Sequence, residues 1–337
     1  MISLNQILLL ISLLICSCSR NHTLGTSEHR FGKKAKHIVW LQVDGLEEEH
    51  IALVKFASDS ALEQTPFEQM VCTGGLWDYN LFDLRPKPLE TFMGQILGSQ
   101  KIKGDCSDLD RAAVWNYFER AGYQVGVLEG EGMGEQSLLN YRSCATEQNF
   151  LKNAYFWSQS NSKTDQRSFH YQEKLDLSNP GLFFDKSCQS KECFVSLKTN
   201  VTKVWTDFTK SFSKTFFVIR QSEFRRKLVK KDILGARESL QELMETISFF
   251  IPKAVAGELS LVITSGSTRR FEFPSGGKDW AKFEKSGRKV LFRRAGLMAR
   301  AWSIGPGAEN FCGTYESSDI LRRFIWTPEK DILYFSF

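Results

Sequence analysis

The sequence has few histidines and lacks the short motifs that identify several common enzyme classes. It contains five histidines in 337 residues, and none lies after residue 170. There is no Gly-x-Ser-x-Gly nucleophile elbow, no Walker phosphate loop and no His-Glu-x-x-His zinc helix. A Ser-His-Asp triad would have to use His37, His50 or His170, and no motif surrounds any of them. The sequence therefore does not indicate a serine hydrolase, a P-loop nucleotidase or a zincin-type protease.

A strong charge is also lacking. The 44 basic and 39 acidic residues leave a net charge of +5, and no basic stretch is interleaved with aromatic residues. Proteins that bind single-stranded nucleic acid combine a basic groove with stacking aromatics, so nucleic acid is not predicted as a partner. The 42% hydrophobic and 25% charged composition is that of an ordinary globular protein, in which the 27 Phe and 8 Trp supply the core.

The cysteines do not form a zinc module, because there is no Cys-x-x-Cys and no paired histidine. Beyond Cys16 and Cys18 the chain has an even set, namely Cys72, Cys106, Cys144, Cys188, Cys193 and Cys312. An even set indicates disulfides in an oxidising compartment. Cys188 and Cys193 are close enough in sequence to close a small loop together, and the other pairings stay open.

The N-terminus has no apolar run long enough to span a bilayer comfortably. Residues 7–15 form a short apolar run of signal-peptide length, although no Lys or Arg precedes it. The following Ile15-Cys16-Ser17-Cys18 resembles a bacterial lipobox, in which Cys18 would receive the lipid. We expect a signal peptide over residues 1–17, a polar tether over 18–36 and a membrane partner reached through the lipid. An ordinary cleaved signal or a short membrane anchor is the alternative.

A lipidated Cys18 would be followed by Ser19 rather than by the Asp associated with retention at the inner membrane. This favours the periplasmic face of the outer membrane or the cell surface as the location in the cell envelope.

One stretch predicts the centre of a parallel sheet. Residues 38–43 are almost continuously apolar and rich in β-branched side chains, which is typical of a strand buried on both faces. This strand ends in Asp44-Gly45. Because ligands of open α/β sheets sit at the carboxyl ends of the strands, Asp44 is a candidate metal ligand. An Asp-Gly pair after a strand is also a common turn.

Strand and helix patterns alternate along the rest of the chain and predict right-handed βαβ units. The predicted strands cover residues 123–128, 215–220, 259–264, 289–292 and 298–304, and Gly74-Gly75 is predicted as a turn leading into a further strand. The predicted helices cover 47–60, 91–97, 108–121, 231–250 and 317–325. A polar segment at about 130–214 interrupts the pattern and is predicted as an insertion packed beside the sheet of a single domain, residues 37–337.

Four landmarks in this order resemble the alkaline phosphatase superfamily of alkaline phosphatases, sulfatases and nucleotide pyrophosphatases. They are the strand ending Val43-Asp44-Gly45-Leu46, the helix, turn and strand of 114–127, the strand of 259–265, and the closing segment 299–320 with its Gly305-Pro306-Gly307 turn. The resemblance implies an α/β three-layer sandwich with a central, mostly parallel sheet and an inserted cap-like segment. It also implies ester hydrolysis by a nucleophile at a helix start, with divalent ions, usually zinc, held by Asp and His.

The chain departs from this family pattern at the site. Asp44 matches the first metal-binding Asp and Glu223 could replace a second. The expected nucleophile position falls on Pro88, and Thr91 is the nearest hydroxyl and a weak candidate.

Because no histidine after residue 170 can supply the remaining ligands, we predict no cofactor and a non-catalytic binding or scaffold protein. The alternative is an active phosphate or sulfate ester hydrolase or transferase that uses Asp44, Glu223 and Thr91 with zinc or another divalent metal in an altered site.

Basic residues lie in the segments that should line the cleft: Arg220, Arg225, Arg226, Arg269, Arg270 and Lys278. Guanidinium groups suit phosphate, sulfate and carboxylate oxygens. One hypothesis is that these side chains replace the metal charge and bind an anion without cleaving it. The other is that they face solvent or pair with acids.

Overall fold

The computed structural model describes residues 35–56, 64–145, 151–160, 167–189, 192–293 and 296–325. The predicted signal peptide, nearly all of the predicted tether and the candidate lipidation residue Cys18 lie outside the described residues. No helix within the described ranges combines the length and the apolar character that a membrane crossing requires.

A large mixed sheet forms the centre of the molecule. In chain order the strands are β1 (His37–Asp44), β2 (Cys72–Trp77), β3 (Gln124–Glu129), β4 (Tyr155–Ser158), β5 (Ser168–Phe169), β6 (Gly181–Asp185), β7 (Cys188–Gln189), β8 (Glu192–Cys193), β9 (Thr215–Gln221), β10 (Leu259–Gly266), β11 (Phe271–Glu272), β12 (Leu291–Phe292), β13 (Met298–Ile304) and β14 (Gly313–Glu316). The order in the main sheet is β14-β2-β13-β10-β1-β9-β3-β4-β6-β5. β13 runs antiparallel to both its neighbours, and the other pairings of this sheet are parallel. The predicted mostly parallel sheet is confirmed.

Helices cover both faces of this sheet. They are α1 (Ala52–Lys55), α2 (Pro88–Leu97), α3 (Val114–Arg120), α4 (Leu197–Ser211), α5 (Glu223–Val229), α6 (Ile233–Val255), α7 (Gly277–Ser286) and α8 (Ile320–Ile325). Alternate residues of β1 belong to different cores, because side chains of a strand alternate between its faces. Val39 and Leu41 pack in the cluster that contains α4 and α6, whereas Ile38 and Trp40 pack in the cluster of α2, α3 and α8. These two cores, one on each face of the sheet, make the three layers that the family resemblance implies.

The polar segment at about 130–214 lies at one edge of the sheet. Its strands β4, β6 and β5 continue the sheet beyond β3, and α4 packs on the same face as α6. The segment was predicted to pack beside the sheet, and the structure instead makes it part of the sheet. Its short apolar strands, such as Tyr155–Ser158, are buried, although the surrounding sequence is polar.

The Gly74-Gly75 pair is the clearest local error of the sequence prediction, because both glycines lie inside β2 and not in a turn. A Cβ on Gly74 would lie 2.4 Å from the carbonyl oxygen of Phe311, so the missing side chain allows the neighbouring segment to approach β2. The disulfide Cys72–Cys312 joins the same two segments. The other disulfides of the described residues are Cys106–Cys144 and the predicted Cys188–Cys193.

Candidate functional site

Asp44 lies at the carboxyl end of β1 and is buried. Its Cα pairs with that of Gly266 on β10, so the ends of β1 and β10 lie side by side. Oδ1 of Asp44 accepts a hydrogen bond from Gln42 Nε2 at 2.6 Å, and Oδ2 has no partner among the described residues. Gly45 follows with φ +82°, and a Cβ there would lie 2.8 Å from Cβ of Arg225. Glycine is therefore required for α5 to approach this strand end.

Two guanidinium groups face Asp44. Burial raises the pKa of the Asp44 carboxyl, and the positive charges of Arg220 and Arg225 and the hydrogen bond from Gln42 oppose this rise. Arg225 is itself half-buried, and burial lowers its pKa while the charge of Asp44 raises it. Its Nε donates to the carbonyl oxygen of Ser267 at 3.3 Å. The charged neighbours of Asp44, the first candidate metal ligand, therefore include two arginines.

Arg220 ties the end of β9 to the end of β3. Its Nη1 lies 2.6 Å from Oε1 of Glu129 and 2.8 Å from the carbonyl oxygen of Gln136, and both side chains of the ion pair are fully buried. The Phe92 ring lies under the guanidinium, with its centroid 4.4 Å away. Leu138 N also donates to Oε1 of Glu129 at 2.8 Å. These hydrogen bonds help a buried ion pair to offset its loss of hydration, although Nη2 of Arg220 has no hydrogen-bond partner among the described residues.

At the ends of β2 and β10, neutral hydrogen-bond donors rather than a cation surround the buried acidic residue. Asp78, directly after β2, accepts from the Thr91 hydroxyl at 3.0 Å and from Ser267 N at 2.6 Å. Burial raises the pKa of Asp78 to about 6, with a further contribution from the negative charge of Asp44. Ser267 has φ +49°, an unusual conformation for a residue with a side chain, and it aims its N–H at Asp78. Thr91, the weak nucleophile candidate, is buried in α2 and engaged with this carboxyl.

Arg269 is the other predicted cation that the structure brings to this strand end. Its N–H donates to the carbonyl oxygen of Gly45 at 3.3 Å, and its charge adds to burial in lowering the pKa of Arg225. The buried Nε of Arg269 has no hydrogen-bond partner among the described residues, nor do the hydroxyls of Ser222 and Thr268. Ser222 directly precedes α5, which carries Arg225, and Thr268 directly precedes Arg269. We call these four residues the arginine cluster.

The remaining predicted residues lie in other surroundings. Arg226 pairs with Glu223 at 3.1 Å on α5, so Glu223 is engaged in an ion pair and no hydrogen bond within the described chain joins it to Asp44. Arg270 pairs with Glu47 at 3.0 Å, and Lys278 is exposed on α7. The hypothesis of cations that pair with acids or face solvent therefore fits Arg220, Arg226, Arg270 and Lys278. Arg225 and Arg269 have no acidic hydrogen-bond partner in the described part of the chain.

The donors around Asp44 do not fit the two-metal centre that the family resemblance implies. Within the described ranges no three His, Cys, Asp or Glu side chains come close enough together to hold a metal ion. The charged neighbours of Asp44 include two arginines, whose positive charge would repel a divalent cation. The expectation that the protein has no cofactor stays a prediction.

Two acidic residues of this region were missed in the sequence. Asp78 follows β2 as Asp44 follows β1, but the strand was placed after the glycine pair and the signal was lost. Glu129 ends β3 in the same way, directly before Gly130. A charged residue at the end of each apolar run was the available signal for both.

Comparison with known proteins shows which solved structures share this fold. No protein-family model matches the sequence, and no curated protein matches it. Among solved structures, the chain is similar to the alkaline phosphatase of the Antarctic bacterium TAB5, with a TM-score of 0.68, 13% identity and coverage of 88% of this chain and 98% of that one. It is also similar to the Thermus thermophilus alkaline phosphatase, with a TM-score of 0.69, 10% identity and coverage of 90% and 94%.

A more distant similarity is to the lipoteichoic acid synthase LtaP of Listeria monocytogenes, with a TM-score of 0.51, 8% identity and coverage of 88% of this chain and 73% of that one. These identities are low, and it is the arrangement of strands and helices that is shared over nearly the whole described chain. The protein therefore has the fold of the alkaline phosphatases.

Proposed function

We propose that the protein is a non-catalytic, anion-binding member of this fold that a lipid on Cys18 holds at the cell envelope. The observation that carries the proposal is the arginine cluster at the carboxyl ends of β1, β9 and β10. Arg225 and Arg269 lie close enough for the charge of one to lower the pKa of the other. Two neighbouring cations repel each other, and an anion between them would relieve that repulsion.

The cluster also offers hydrogen-bond donors that the protein leaves unused. Nε of Arg269 and the hydroxyls of Ser222 and Thr268 are buried and unpartnered among the described residues. Buried donors without partners are destabilising unless a ligand or water accepts from them. Phosphate, sulfate and carboxylate groups supply acceptor oxygens of the required charge.

Calorimetric titration of the full chain with inorganic phosphate, sulfate and phosphorylated sugars tests the anion site. We expect binding that Arg225→Gln and Arg269→Gln each weaken at least tenfold, which corresponds to about 1.4 kcal/mol. Lys278→Gln makes the same change of charge on exposed α7 and should leave the affinity unchanged. Absence of binding at millimolar ligand, or equal losses in all three variants, would refute the site.

An active hydrolase is the second candidate, because the Thr91 hydroxyl donates to Asp78 in the arrangement of a nucleophile and its base. Metal analysis of the purified chain, with turnover of p-nitrophenyl phosphate and p-nitrophenyl sulfate, separates the candidates. We expect no turnover above the uncatalysed rate, with or without added zinc. Stoichiometric zinc together with activity that Asp44→Ala and Thr91→Val abolish would establish the enzyme instead.

The proposed location rests on the lipobox and on the disulfides of the described chain, which favour an oxidising compartment. Expression in a bacterium with a labelled fatty acid should label the full chain and not Cys18→Ser. Cys16→Ser is the matched control and should remain labelled. Label that persists in the Cys18→Ser variant would refute lipidation at this residue, and fractionation of the labelled chain would separate outer membrane from inner membrane.

A further inference from the structure

Large apolar side chains are exposed in one short loop between β2 and α2. Leu81, Phe82 and Leu84 are 55%, 63% and 62% exposed, and Trp77 at the end of β2 is 44% exposed. Turn positions usually carry Gly, Asn, Asp or Ser. Neighbouring exposed apolar residues mark a surface that meets another molecule or a membrane. We call residues 80–84 the apolar turn.

Hydrogen bonds within the turn and to residues 100–102 hold the apolar turn in place. Asn80 and Asp83 exchange two backbone hydrogen bonds, of 3.1 and 3.0 Å, and Leu81 N donates to the carbonyl oxygen of Gln100 at 2.8 Å. The buried Asn80 side chain donates to the carbonyl oxygen of Ile102 at 2.6 Å and accepts from Ile102 N at 3.2 Å. Because these contacts engage the backbone of the turn, the apolar side chains project outward from a fixed support and cannot fold back without breaking them.

The two segments that form and support the turn are rich in basic residues. Residues 81–87 and the adjacent stretch 100–103 contain four basic side chains against one acidic side chain, Asp83. The basic residues are Arg85, Lys87, Lys101 and Lys103, and all four are exposed. Lys101 and Lys103 flank Ile102, to which Asn80 is hydrogen-bonded. Exposed apolar side chains with exposed basic side chains in the same two segments match the boundary between acyl chains and anionic headgroups.

We propose that the apolar turn inserts into the headgroup layer of a bilayer that contains anionic lipid, with the flanking basic side chains on the lipid phosphates. Exposed apolar side chains with exposed basic neighbours suit a lipid surface that offers both acyl chains and phosphates. The inference draws on the proposed lipid anchor for proximity to the membrane. A tether of residues 18–36 spans at most about 65 Å when extended, which exceeds the length of about 26 Å of a strand such as β1.

Docking in this way would turn the strand ends toward the membrane. β2 is parallel to β10, because both run antiparallel to β13, so the turn after β2 lies at the same edge of the sheet as Asp44 and Ser267. The hydrogen bond from Ser267 N to Asp78 connects the start of this loop to the candidate site. The arginine cluster would then face anionic groups at the membrane surface.

Vesicle sedimentation of the full chain carrying Cys18→Ser, which removes the lipid, tests the proposal. Vesicles of phosphatidylcholine with phosphatidylglycerol are compared with vesicles of phosphatidylcholine alone. We expect the double variant Phe82→Ser/Leu84→Ser to lower partitioning at least tenfold, or about 1.4 kcal/mol. Lys101→Gln/Lys103→Gln should lower it only on the anionic vesicles. Phe194→Ser alters another exposed phenylalanine, 83% exposed, and should change nothing.

Equal partitioning of the Phe82→Ser/Leu84→Ser variant and its parent would overturn the proposal. So would a concentration-dependent dimer of the parent that this variant converts to monomer without any change in vesicle binding, because the turn would then contact a second copy. Thermal unfolding midpoints verify that each variant folds. The residue 7–15 segment is present in every variant, so it cannot create a difference in vesicle binding between them. Failure of fatty-acid labelling at Cys18 would refute the lipid anchor and leave the vesicle result unaffected.

Discussion

Two halves of the same sheet edge bury acidic side chains in different ways. At the ends of β9 and β3, Glu129 is paired with the guanidinium of Arg220. At the ends of β2 and β10, Asp78 is surrounded by a hydroxyl and a backbone N–H, and burial raises its pKa to about 6. A fixed cation balances a buried carboxylate, whereas neutral donors satisfy its oxygens but leave the ionised form less stable. Asp44 lies between these halves and is influenced by both.

The largest effect on stability is expected from removal of the Arg220 guanidinium. Arg220→Met leaves Glu129 as a buried carboxylate without its partner, and we expect a loss of about 3–5 kcal/mol in the free energy of unfolding. Denaturant unfolding followed by circular dichroism measures it. The exposed pair of Arg293 and Glu272 provides the control, since Arg293→Met should change stability by less than about 1 kcal/mol. Similar losses in the two variants would contradict the contrast between a buried pair and an exposed one.

The dependence of stability on pH tests the half of the sheet edge that contains Asp78. The pKa of Asp78 is raised from 3.8 to about 6 on folding, so the folded state binds the proton more tightly than the unfolded chain does. The stabilising contribution of Asp78 is full below pH 4 and is lost as the pH rises through about 6.

Relative to Asp78→Asn, the native chain should therefore lose up to about 3 kcal/mol of stability between pH 4 and pH 7. Unfolding midpoints in urea at several pH values measure this difference. Asp83→Asn, at an exposed position of the neighbouring turn, is the matched Asp-to-Asn control. A constant difference between native and Asp78→Asn chains would show that the carboxyl titrates equally in both states.

A smaller effect is expected when a methyl group is added at Gly266, next to the Thr91 side chain that donates to Asp78. A Cβ at Gly266 would lie 2.1 Å from Cγ2 of Thr91, so Gly266→Ala must displace the side chain that donates to Asp78. We expect a loss of about 1–3 kcal/mol in the free energy of unfolding. Thr91→Ser removes the colliding methyl group and keeps the hydroxyl, so the double variant should recover part of the loss. A double variant no more stable than Gly266→Ala would show that the collision is not the cause.

Much of the fold was predictable because strong local patterns and buried strands coincide. β9, β10 and β13 were placed from apolar runs, and α2 was predicted to end before Gly98, which adopts φ +60°. The sequence also identified Asp44 at the end of its strand. β2 was misplaced because glycine favours turns locally, and its presence in a strand depends on the neighbouring Phe311 carbonyl oxygen. No local pattern reports such a neighbour.

The sequence by itself determined the alternation of strands and helices, the position of Asp44 after an apolar run, and the lack of histidines in the second half of the chain. These follow from residue type and periodicity, which act over a few neighbouring residues. Only the tertiary structure decided that Arg220 pairs with Glu129, 91 residues away, and that Arg225 and Arg269 meet at Gly45 while Arg226 and Arg270 pair with acids. The reason is physical: parallel strands bring together residues distant in sequence, and burial then decides which charges must be balanced.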